Sequence, residues 1–289
     1  MKKLVSAALC AVMLMACSGK KTQQPAETAQ SASSLQIEWA TFNMRYDNPG
    51  DSLNNWQYRK DTVCQYILDK KMDIIGMQEV LHNQLEDLKA GLPNYAAIGV
   101  GRDDGKEKGE YSPLFYRADK YEVLESNTFW LSQYPDSVGF IGWDGACTRI
   151  KDKATGKIFM GVNTHFDHVG TEARRESALL IIKKIKEIVG DQPAVVTGDF
   201  NVNDQSEAYK TITTNEFVLK DAYKMTDQKT GPNYTFHDFG RYAMDKREKI
   251  DFIFVTPQIK VLNTEIAQNP ETKTGYLSDH NPHMALLEF

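Results

Sequence analysis

The sequence is poor in the residues that build disulfide frameworks and zinc sites. Its 289 residues include four cysteines, no Cys-x-x-Cys pair and six histidines. These counts argue against a disulfide-stapled fold, thiol redox chemistry and a zinc ribbon. Basic residues are not in excess either, because 34 lysines and arginines face 39 acidic residues, for a net charge of −5. A broad cationic surface for long nucleic acid is therefore not expected. With 41% hydrophobic residues, the chain can still bury a sizeable core.

The first 16 residues have the layout of an export signal. Lys2 and Lys3 precede an apolar run over residues 4–16, which is shorter than the ~20 residues of a membrane-spanning helix. Leu14-Met15-Ala16-Cys17 resembles the lipobox, at which bacterial lipoproteins are cleaved before a lipid-modified cysteine. A plain signal peptide with an incidental cysteine is the alternative. Cleavage before Cys17 removes two lysines and no acid, so the net charge changes from −5 to −7.

The region after Cys17 predicts a tether followed by one folded domain. Residues 18–34 are polar and rich in Ser, Gln and Ala, a composition that cannot bury a core. Their start, Ser18-Gly19-Lys20-Lys21, lacks the acidic run associated with surface export in some bacteria. We therefore expect a signal peptide over 1–16, a lipidated Cys17 and tether up to 34, and a domain over 35–289. The expected location is the bacterial cell envelope, on a periplasm-facing lipid anchor.

Two cysteines, Cys64 and Cys147, remain in the folded region. An oxidising compartment would allow them to pair. Cys64 lies in a helical pattern next to Val63 and near Ile67, so a buried free thiol is the alternative.

Two strand–helix–strand patterns of similar length occur in this domain. The first runs from a strand over 37–42 to a strand over 73–77, and the second from 157–164 to 193–197, through a helix with Thr171 as its N-cap. Asn43 and Glu79 follow the strands of the first unit, and His165 and Asp199 follow those of the second. Short strands rich in Val and Ile are typical of a sheet that is buried on both faces. The pattern predicts an α/β fold in which these polar groups share one cleft.

Later segments are mostly β in pattern. Residues 111–116 and 121–130 predict a hairpin around residues 117–120. Asp251 lies in a strand over 249–255, and Asp279-His280 precedes a terminal strand over 284–289.

Six polar motifs therefore fall at the ends of separate strands. They are Asn43, Gln78-Glu79, His165, Asp199-Phe200-Asn201, Asp251 and Ser278-Asp279-His280. A single carboxylate after a strand is usually a turn former, but six such groups are harder to explain in this way. Oxygen-rich ligands of this kind suit Mg²⁺, Mn²⁺ or Ca²⁺ better than zinc.

In this order the motifs resemble those of the endonuclease/exonuclease/phosphatase superfamily of DNase I-like enzymes. The resemblance covers about residues 37–289. It implies a four-layer α/β sandwich, in which two mixed β-sheets pack face to face with helices outside and the catalytic cleft lies at one edge. It also implies metal-dependent hydrolysis of a phosphoester, as a phosphodiesterase or phosphatase, by in-line attack of water.

The same resemblance implies a metal site and an accessory pair. Glu79 would bind the divalent cation, Mg²⁺ or else Mn²⁺ or Ca²⁺, with Asn43 and Asp279 nearby. Glu110 would be the carboxylate partner of a catalytic histidine, or a solvated charge. Arg149 would contact the substrate phosphate, or lie on the surface.

The catalytic roles also follow from the resemblance. His280 would act as general base or as a positive group against the phosphate, and Asp251 would orient it. Asp199 would orient the attacking water, and Asn201 would donate to the phosphoryl oxygens. His165 would stabilise the transition state or protonate the leaving group.

One motif points to a different enzyme class. His165-Phe166-Asp167-His168 resembles the end of the metallo-β-lactamase signature His-x-His-x-Asp-His, although Asn163 stands where its first histidine would be. Asp167 and His168 are alternatively a hydrogen-bonded loop that caps the next helix. A third alternative is a catalytically silent binding protein on the same fold.

The substrate is the least defined part of the prediction. Loop aromatic residues such as Tyr46, Trp130 and Trp143 either stack on a ligand or pack the rim. Acidic residues interleave most of the basic ones, so no long cationic stripe appears. A small phosphate ester, a lipid head group or a nucleotide is therefore expected in preference to long nucleic acid. We expect a monomer.

Overall fold

Both strand–helix–strand units that the sequence predicts are present in the structure. The computed structural model describes residues 34–132, 134, 144–268 and 275–289. The described strands form one seven-stranded and one six-stranded sheet. The order in the first is β10 (Lys229–Thr230), β12 (Lys260–Ile266), β13 (His283–Glu288), β1 (Gln36–Asn43), β2 (Ile74–Gln78), β4 (Leu114–Arg117) and β3 (Tyr95–Ile98). The order in the second is β5 (Tyr121–Trp130), β6 (Asp144–Asp152), β7 (Ile158–His165), β8 (Ala194–Asp199), β11 (Asp251–Val255) and β9 (Lys220–Asp221).

The α-helices lie on the outer faces of the two sheets, except the shortest, whose Ala222 packs in the apolar layer between the sheets. They are α1 (Trp56–Asp69), α2 (His82–Gly91), α3 (Thr171–Val189), α4 (Glu207–Thr214) and the short α5 (Ala222–Met225). Short 3₁₀ helices span Pro49–Asn54 and Met244–Lys246. Among the described residues, none of these helices combines the length and apolarity needed to cross a bilayer.

Three hydrophobic layers hold the four structural layers together. Ile37 and Trp39 of β1 face the other sheet, whereas Ala40 and Phe42 pack against α1 and α2. On the opposite side, α3 buries Ala178, Ile181, Ile185 and Val189 at helical spacing against the second sheet. Central strands buried on both faces explain the continuous apolar runs in the sequence. The expected four-layer α/β sandwich is confirmed.

The predicted hairpin is wrong. β4 belongs to the seven-stranded sheet and β5 to the six-stranded sheet, so residues 118–120 carry the chain from one sheet to the other. Lys120 fixes this crossing through Asp73, 2.5 Å from its Nζ. A turn signal shows where the chain reverses but not which sheet receives the next strand.

The predicted N-cap of α3 is also shifted by one residue. The helix begins at Thr171 itself, and Gly170 is its N-cap residue.

The two cysteines of the domain are both buried free thiols. Cys64 packs in the layer between the first sheet and its helices, and Cys147 in the layer on the far side of the second sheet. Both sheets therefore separate the two sulfur atoms, which excludes a disulfide between them. Burial raises the pKa of Cys64 to about 11 and that of Cys147 to about 12, so both thiols stay protonated at neutral pH.

Four polar side chains interrupt the apolar layer between the sheets, close to one edge. Gln78 Nε2 donates hydrogen bonds to Thr41 Oγ1 (3.1 Å) and to Asn163 Oδ1 (2.8 Å). Thr197 Oγ1 donates to the same Asn163 oxygen (3.1 Å), and Asn163 Nδ2 donates to the carbonyl of Met77 (2.7 Å). We call Thr41, Gln78, Asn163 and Thr197 the inter-sheet network. Because buried polar groups must be paired, this network sets how the two sheets lie against each other.

Gly76 in β2 gives the inter-sheet network its space, and its substitution tests how tight the network is. A Cβ at this position would lie 2.2 Å from Asn163 Oδ1 and 2.3 Å from Thr197 Oγ1. We expect Gly76→Ala to lower the free energy of unfolding by about 2–4 kcal/mol, because it overpacks the layer and breaks buried hydrogen bonds. Urea unfolding followed by circular dichroism measures this loss.

Gly161→Ala is the matched control for that experiment. Its Cβ lies in the same layer between the sheets but meets only the ends of apolar side chains, at 3.0 Å or more. A smaller loss of stability is expected from it, since these ends can shift. Equal losses in the two variants would contradict a tight polar network at Gly76.

Candidate active site

A cavity of about 550 Å³ lies at the edge where β1, β2, β7 and β8 end. Parallel pairing places Asn43 opposite Gln78 and His165 opposite Asp199, so the carboxyl ends of both units meet there. Seven residues predicted from the sequence line it: Glu79, Glu110, His165, Asp199, Asn201, Asp279 and His280. Asn43 and Asp251 lie directly behind this lining and are hydrogen-bonded to it.

Asn43 joins the carboxylates that the two sheets contribute. Its Nδ2 donates to Glu79 Oε1 (3.1 Å) and to Asp199 Oδ2 (3.0 Å), and its Oδ1 accepts from the Arg45 N–H (2.9 Å). Glu79 has a left-handed backbone (φ 58°) directly after β2, and its Oε2 accepts from the Tyr46 N–H (3.2 Å). Backbone strain of this kind is characteristic of functional positions.

Asp199, Asn201 and His165 form the part of the site that the second sheet supplies. The Asn201 N–H donates to Asp199 Oδ1 (2.9 Å), and Asn201 Nδ2 lies 2.8 Å from the carbonyl oxygen of Phe166. The His165 Nε2 atom is 3.2 Å from Asn201 Nδ2 and 3.6 Å from Asp199 Oδ2. A left-handed backbone at Asn201 (φ 50°) turns its side chain back toward His165. The motif Asp199-x-Asn201 therefore acts as one compact unit.

His280 is held as a cation. Its Nδ1 is 2.8 Å from Asp251 Oδ2, its Nε2 is 3.8 Å from Asp199 Oδ2, and its ring packs on Phe236. Burial alone would lower its pKa, but the carboxylates of Asp251, Asp199 and Asp279 outweigh burial and raise the pKa to about 10. Of the two roles expected for His280, the arrangement favours a positive group facing the phosphate.

His165 is in the opposite state. Burial lowers its pKa well below the ordinary value, and the positive charges of Arg102 and His280 act in the same direction. The neutral imidazole therefore dominates at neutral pH, which suits a hydrogen-bond partner better than a proton donor. Glu110 Oε2 lies 4.0 Å from His165 Nδ1 and accepts a hydrogen bond from Arg102 Nη1 (3.1 Å).

The carboxylates of the cavity are crowded and poorly solvated. Burial and the neighbouring Asp251 raise the pKa of Asp199 to about 8, and burial together with Glu79 raises that of Asp279 to about 6. Donor atoms of Glu79, His165 and Asp199 lie within 4.8 Å of one another. An oxygen-rich set that is destabilised by its own charge fits a hard divalent cation.

Three arginines contribute to this site in ways that the sequence did not reveal. Arg45 and Arg102 line the cavity. Arg59 is fully buried in α1 and donates to the backbone carbonyls of Met44 and Leu277, tying the loop after β1 to the loop of Asp279 and His280. The signal for Arg59 was an arginine on the buried face of α1, four and eight residues before Val63 and Ile67.

Arg149 does not join this group. It lies in β6 opposite Met160, whereas the cavity end of that ladder is the Gly145–Thr164 pair. Four residues of strand, about 13 Å, separate the two positions. The residues before Arg149 form a strand and not a loop at the cleft, so the expected phosphate contact is not supported. Among the described residues that line the cavity, the arginines are Arg45 and Arg102.

The geometry also argues against the two-zinc alternative. Asn163, at the position of the missing histidine, points into the layer between the sheets and belongs to the inter-sheet network. Asp167 Oδ1 accepts from the N–H groups of Val169 (2.5 Å) and Gly170 (2.9 Å), which caps the loop before α3. His168 lines the cavity without the rest of a zinc-binding signature.

Comparisons with known proteins agree with the fold and with the family resemblance. The model of the Endonuclease/Exonuclease/phosphatase family matches residues 40–280, which confirms the resemblance carried by the motifs. A solved endonuclease/exonuclease/phosphatase from Bacteroides vulgatus is 67% identical, covers 88% of this chain and 99% of its own, and has a TM-score of 0.85. The mannosyl-6-phosphatase of Bacteroides thetaiotaomicron VPI-5482 is 36% identical, covers 88% of this chain and 100% of its own, and has a TM-score of 0.81.

Curated relatives are more distant and longer. Nocturnin of Drosophila melanogaster is 25% identical over 264 residues, which is 78% of this chain and 41% of that protein. The chain spans less than three fifths of the length of the curated relatives it matches.

The charge state of His280 can be tested through Asp251. We expect Asp251→Asn to lower the pKa of His280 from its value of about 10, because it removes the nearest negative charge. Histidine ring resonances followed by NMR across pH 5–11, assigned with His280→Gln, measure the change. Asp227→Asn, an exposed position, is the control and should leave the titration unchanged. Titration of His280 near pH 6.5 in the unmodified protein would contradict the cationic state.

Proposed function

Because the chain belongs to the endonuclease/exonuclease/phosphatase family, we propose that it hydrolyses a phosphoester with the help of a bound divalent cation, Mg²⁺ or else Mn²⁺ or Ca²⁺. The observation that carries this proposal is the set of groups in one cavity: the carboxylates of Glu79, Asp199 and Asp279, a cationic His280 and a neutral His165. Such a set combines a cation site with phosphate ligands.

Glu79, Asp199 and Asp279 are the residues that would hold the cation. When bound, it would supply positive charge to the phosphoryl oxygens and lower the pKa of a coordinated water. In the described arrangement Asn43 donates its amide N–H groups to Glu79 and Asp199, and its oxygen accepts from Arg45. Asn43 therefore positions these carboxylates, and its oxygen has a second lone pair with which it would also ligate the cation.

The protein's own groups then have distinct tasks. His280 faces the phosphate as a positive charge and is kept in that state by Asp251. Asp199 Oδ2, which lies 3.6 Å and 3.8 Å from the Nε2 atoms of His165 and His280, is central enough to orient the attacking water. Asn201 and His165 offer hydrogen bonds to phosphoryl oxygens.

We propose a compact phosphomonoester of a sugar as the substrate class. The relative named a mannosyl-6-phosphatase is 36% identical to this chain, and the match covers its whole length. This similarity supports a sugar phosphate as the substrate. The cavity of about 550 Å³ suits a small ligand, and its lining includes the aromatic residues Tyr46, Phe236 and Tyr242 and the carboxylate of Asp238. Aromatic faces next to a few polar groups are typical of small-molecule sites.

A substrate panel tests this proposal. The purified protein with Mg²⁺ is incubated with mannose 6-phosphate, glucose 6-phosphate, nucleotides, sphingomyelin and single-stranded RNA, and released phosphate or product is measured. We expect the fastest turnover on a sugar phosphate, loss of activity in EDTA and recovery with Mg²⁺. Asp199→Asn should lower kcat/KM on the order of 10³-fold, because it removes the group that orients water. Asp191→Asn, exposed before the amino end of β8, is the control and should retain full activity.

The outcomes of the panel separate the alternatives. Turnover of RNA or sphingomyelin alone would contradict a sugar phosphomonoester as substrate and leave phosphoester hydrolysis in place. No turnover with Mg²⁺, Mn²⁺ or Ca²⁺ would contradict the enzyme proposal and favour a silent binding protein.

We also propose that the protein is anchored in a bacterial envelope through a lipid on Cys17. The lipobox-like sequence supports this, and Cys17 lies outside the described residues. Ser34, the first described residue, precedes the amino end of β1, whereas the cavity lies at the carboxyl end of that strand. Metabolic labelling with a palmitate analogue should mark the protein in cells and fail with Cys17→Ser. Equal labelling of both proteins would contradict anchoring at this residue.

A further inference from the structure

Arg45 is a guanidinium that the fold fixes inside the cavity. Its backbone is left-handed (φ 55°), and its N–H donates to Asn43 Oδ1 (2.9 Å). Its carbonyl accepts from Gln84 Nε2 (3.0 Å) and from Arg59 Nη2 (3.2 Å). Three hydrogen bonds to its backbone N–H and carbonyl groups therefore fix the position of the Arg45 Cα atom.

The side chain is held along one edge. Nε and Nη2 donate to the two oxygens of Asp51, at 2.9 Å and 3.2 Å, and Asp51 is only 6% exposed. The guanidinium carbon lies 4.5 Å from the centre of the Tyr46 ring. A planar guanidinium held by a carboxylate fork loses little further freedom when it binds a ligand.

The guanidinium also lies beside the carboxylates proposed to hold the cation. Its Nη1 is 4.0 Å from Glu79 Oε2, and its Nε is 3.8 Å from Asp279 Oδ2. Nη1 is the nitrogen that Asp51 does not engage. Arg102, the other arginine that lines the cavity, is paired with Glu110 next to His165. Arg45 is thus the cavity arginine beside Glu79 and Asp279, whereas Arg102 lies on the His165 side.

The charge of the phosphate decides what such a group is useful for. A phosphomonoester has a second pKa near 6, so at neutral pH it carries close to two negative charges on three terminal oxygens. A phosphodiester carries one charge on two such oxygens. In a cavity rich in carboxylates, a second fixed positive charge in addition to His280 favours the dianion more than the monoanion.

We propose that Arg45 makes the site selective for phosphomonoesters over phosphodiesters by binding a terminal phosphate oxygen, and that Asp51 positions it for this contact. The inference rests on the proposed function and names the side chain by which the same site would select a phosphomonoester.

Two esters with the same leaving group test this selectivity. We measure kcat/KM for p-nitrophenyl phosphate and bis(p-nitrophenyl) phosphate with Mg²⁺. In Arg45→Gln the value for the monoester should fall on the order of 10- to 100-fold, because a charge-assisted hydrogen bond to the phosphate is lost. The value for the diester should change by less than about threefold. Arg45→Lys, which keeps the charge without the fork, should recover part of the monoester activity.

Arg117→Gln is the matched control. Arg117 makes the same type of paired contact with Asp119, from Nε (2.8 Å) and Nη2 (2.6 Å), but at the end of β4 outside the cavity lining. Its removal should leave both esters unchanged. A parallel fall of both esters in Arg45→Gln would overturn the inference, as would no change in either, because selectivity then does not depend on this side chain.

Binding of inorganic phosphate separates a failure of this inference from a failure of the proposed function. Isothermal titration in EDTA and in Mg²⁺ should show weaker phosphate binding by Arg45→Gln, on the order of 10-fold or more, and by Asp51→Asn to a smaller extent. If the unmodified protein hydrolyses neither these esters nor any substrate of the panel, the proposed function fails, and the titration alone decides whether Arg45 binds phosphate. The inference about Arg45 would be overturned if Arg45→Gln and the unmodified protein bound phosphate with equal affinity while circular dichroism showed both to be folded.

Discussion

The hydrogen bonds centred on Asn163 determine the geometry of the whole cavity. The cavity takes Asn43 and Glu79 from one sheet and His165 and Asp199 from the other, so its shape depends on how the sheets lie against each other. An apolar layer by itself allows the sheets to slide, since hydrophobic contact is not directional. The inter-sheet network lies one or two residues before each of these groups and is directional. The 3.0 Å contact between Asn43 and Asp199 across the sheets follows from it.

The second constraint is electrostatic. Carboxylates and imidazoles buried at one edge of the sheets raise the pKa values of Asp199 and Asp279 and move those of the two histidines in opposite directions. A fold selected only for stability has no reason to keep such a cluster, because burying charge is costly. Strained backbones at Arg45, Glu79 and Asn201 add to this cost. Buried charge and backbone strain that both reduce stability at one cavity indicate a functional site.

Much of the fold and of the site could be predicted because their signals are local. Alternating residues mark β1 and a short apolar run marks β7, and a polar residue directly after such a segment marks a strand end at the cleft. Predictions failed where contacts with residues distant along the chain determine the position of a strand or a side chain. The turn before β5 leads to the other sheet because β5 pairs along its length with β6, which is distant in sequence from that turn. Arg149 was expected to contact the phosphate or to lie on the surface, and only the structure shows that β6 continues through it, outside the cavity lining.

The sequence by itself determined the α/β class, the two strand–helix–strand units and the order of the polar motifs. These depend on residue periodicity and on strand ends, which neighbouring residues encode. Only the tertiary structure decided that His280 is a cation while His165 is neutral, although both are buried histidines in the same cavity. The physical reason is that a pKa depends on the charges around the group, and Asp251 and Arg102 come from distant parts of the chain. The placement of Arg45 between Asp51, Glu79 and Asp279 was decided in the same way.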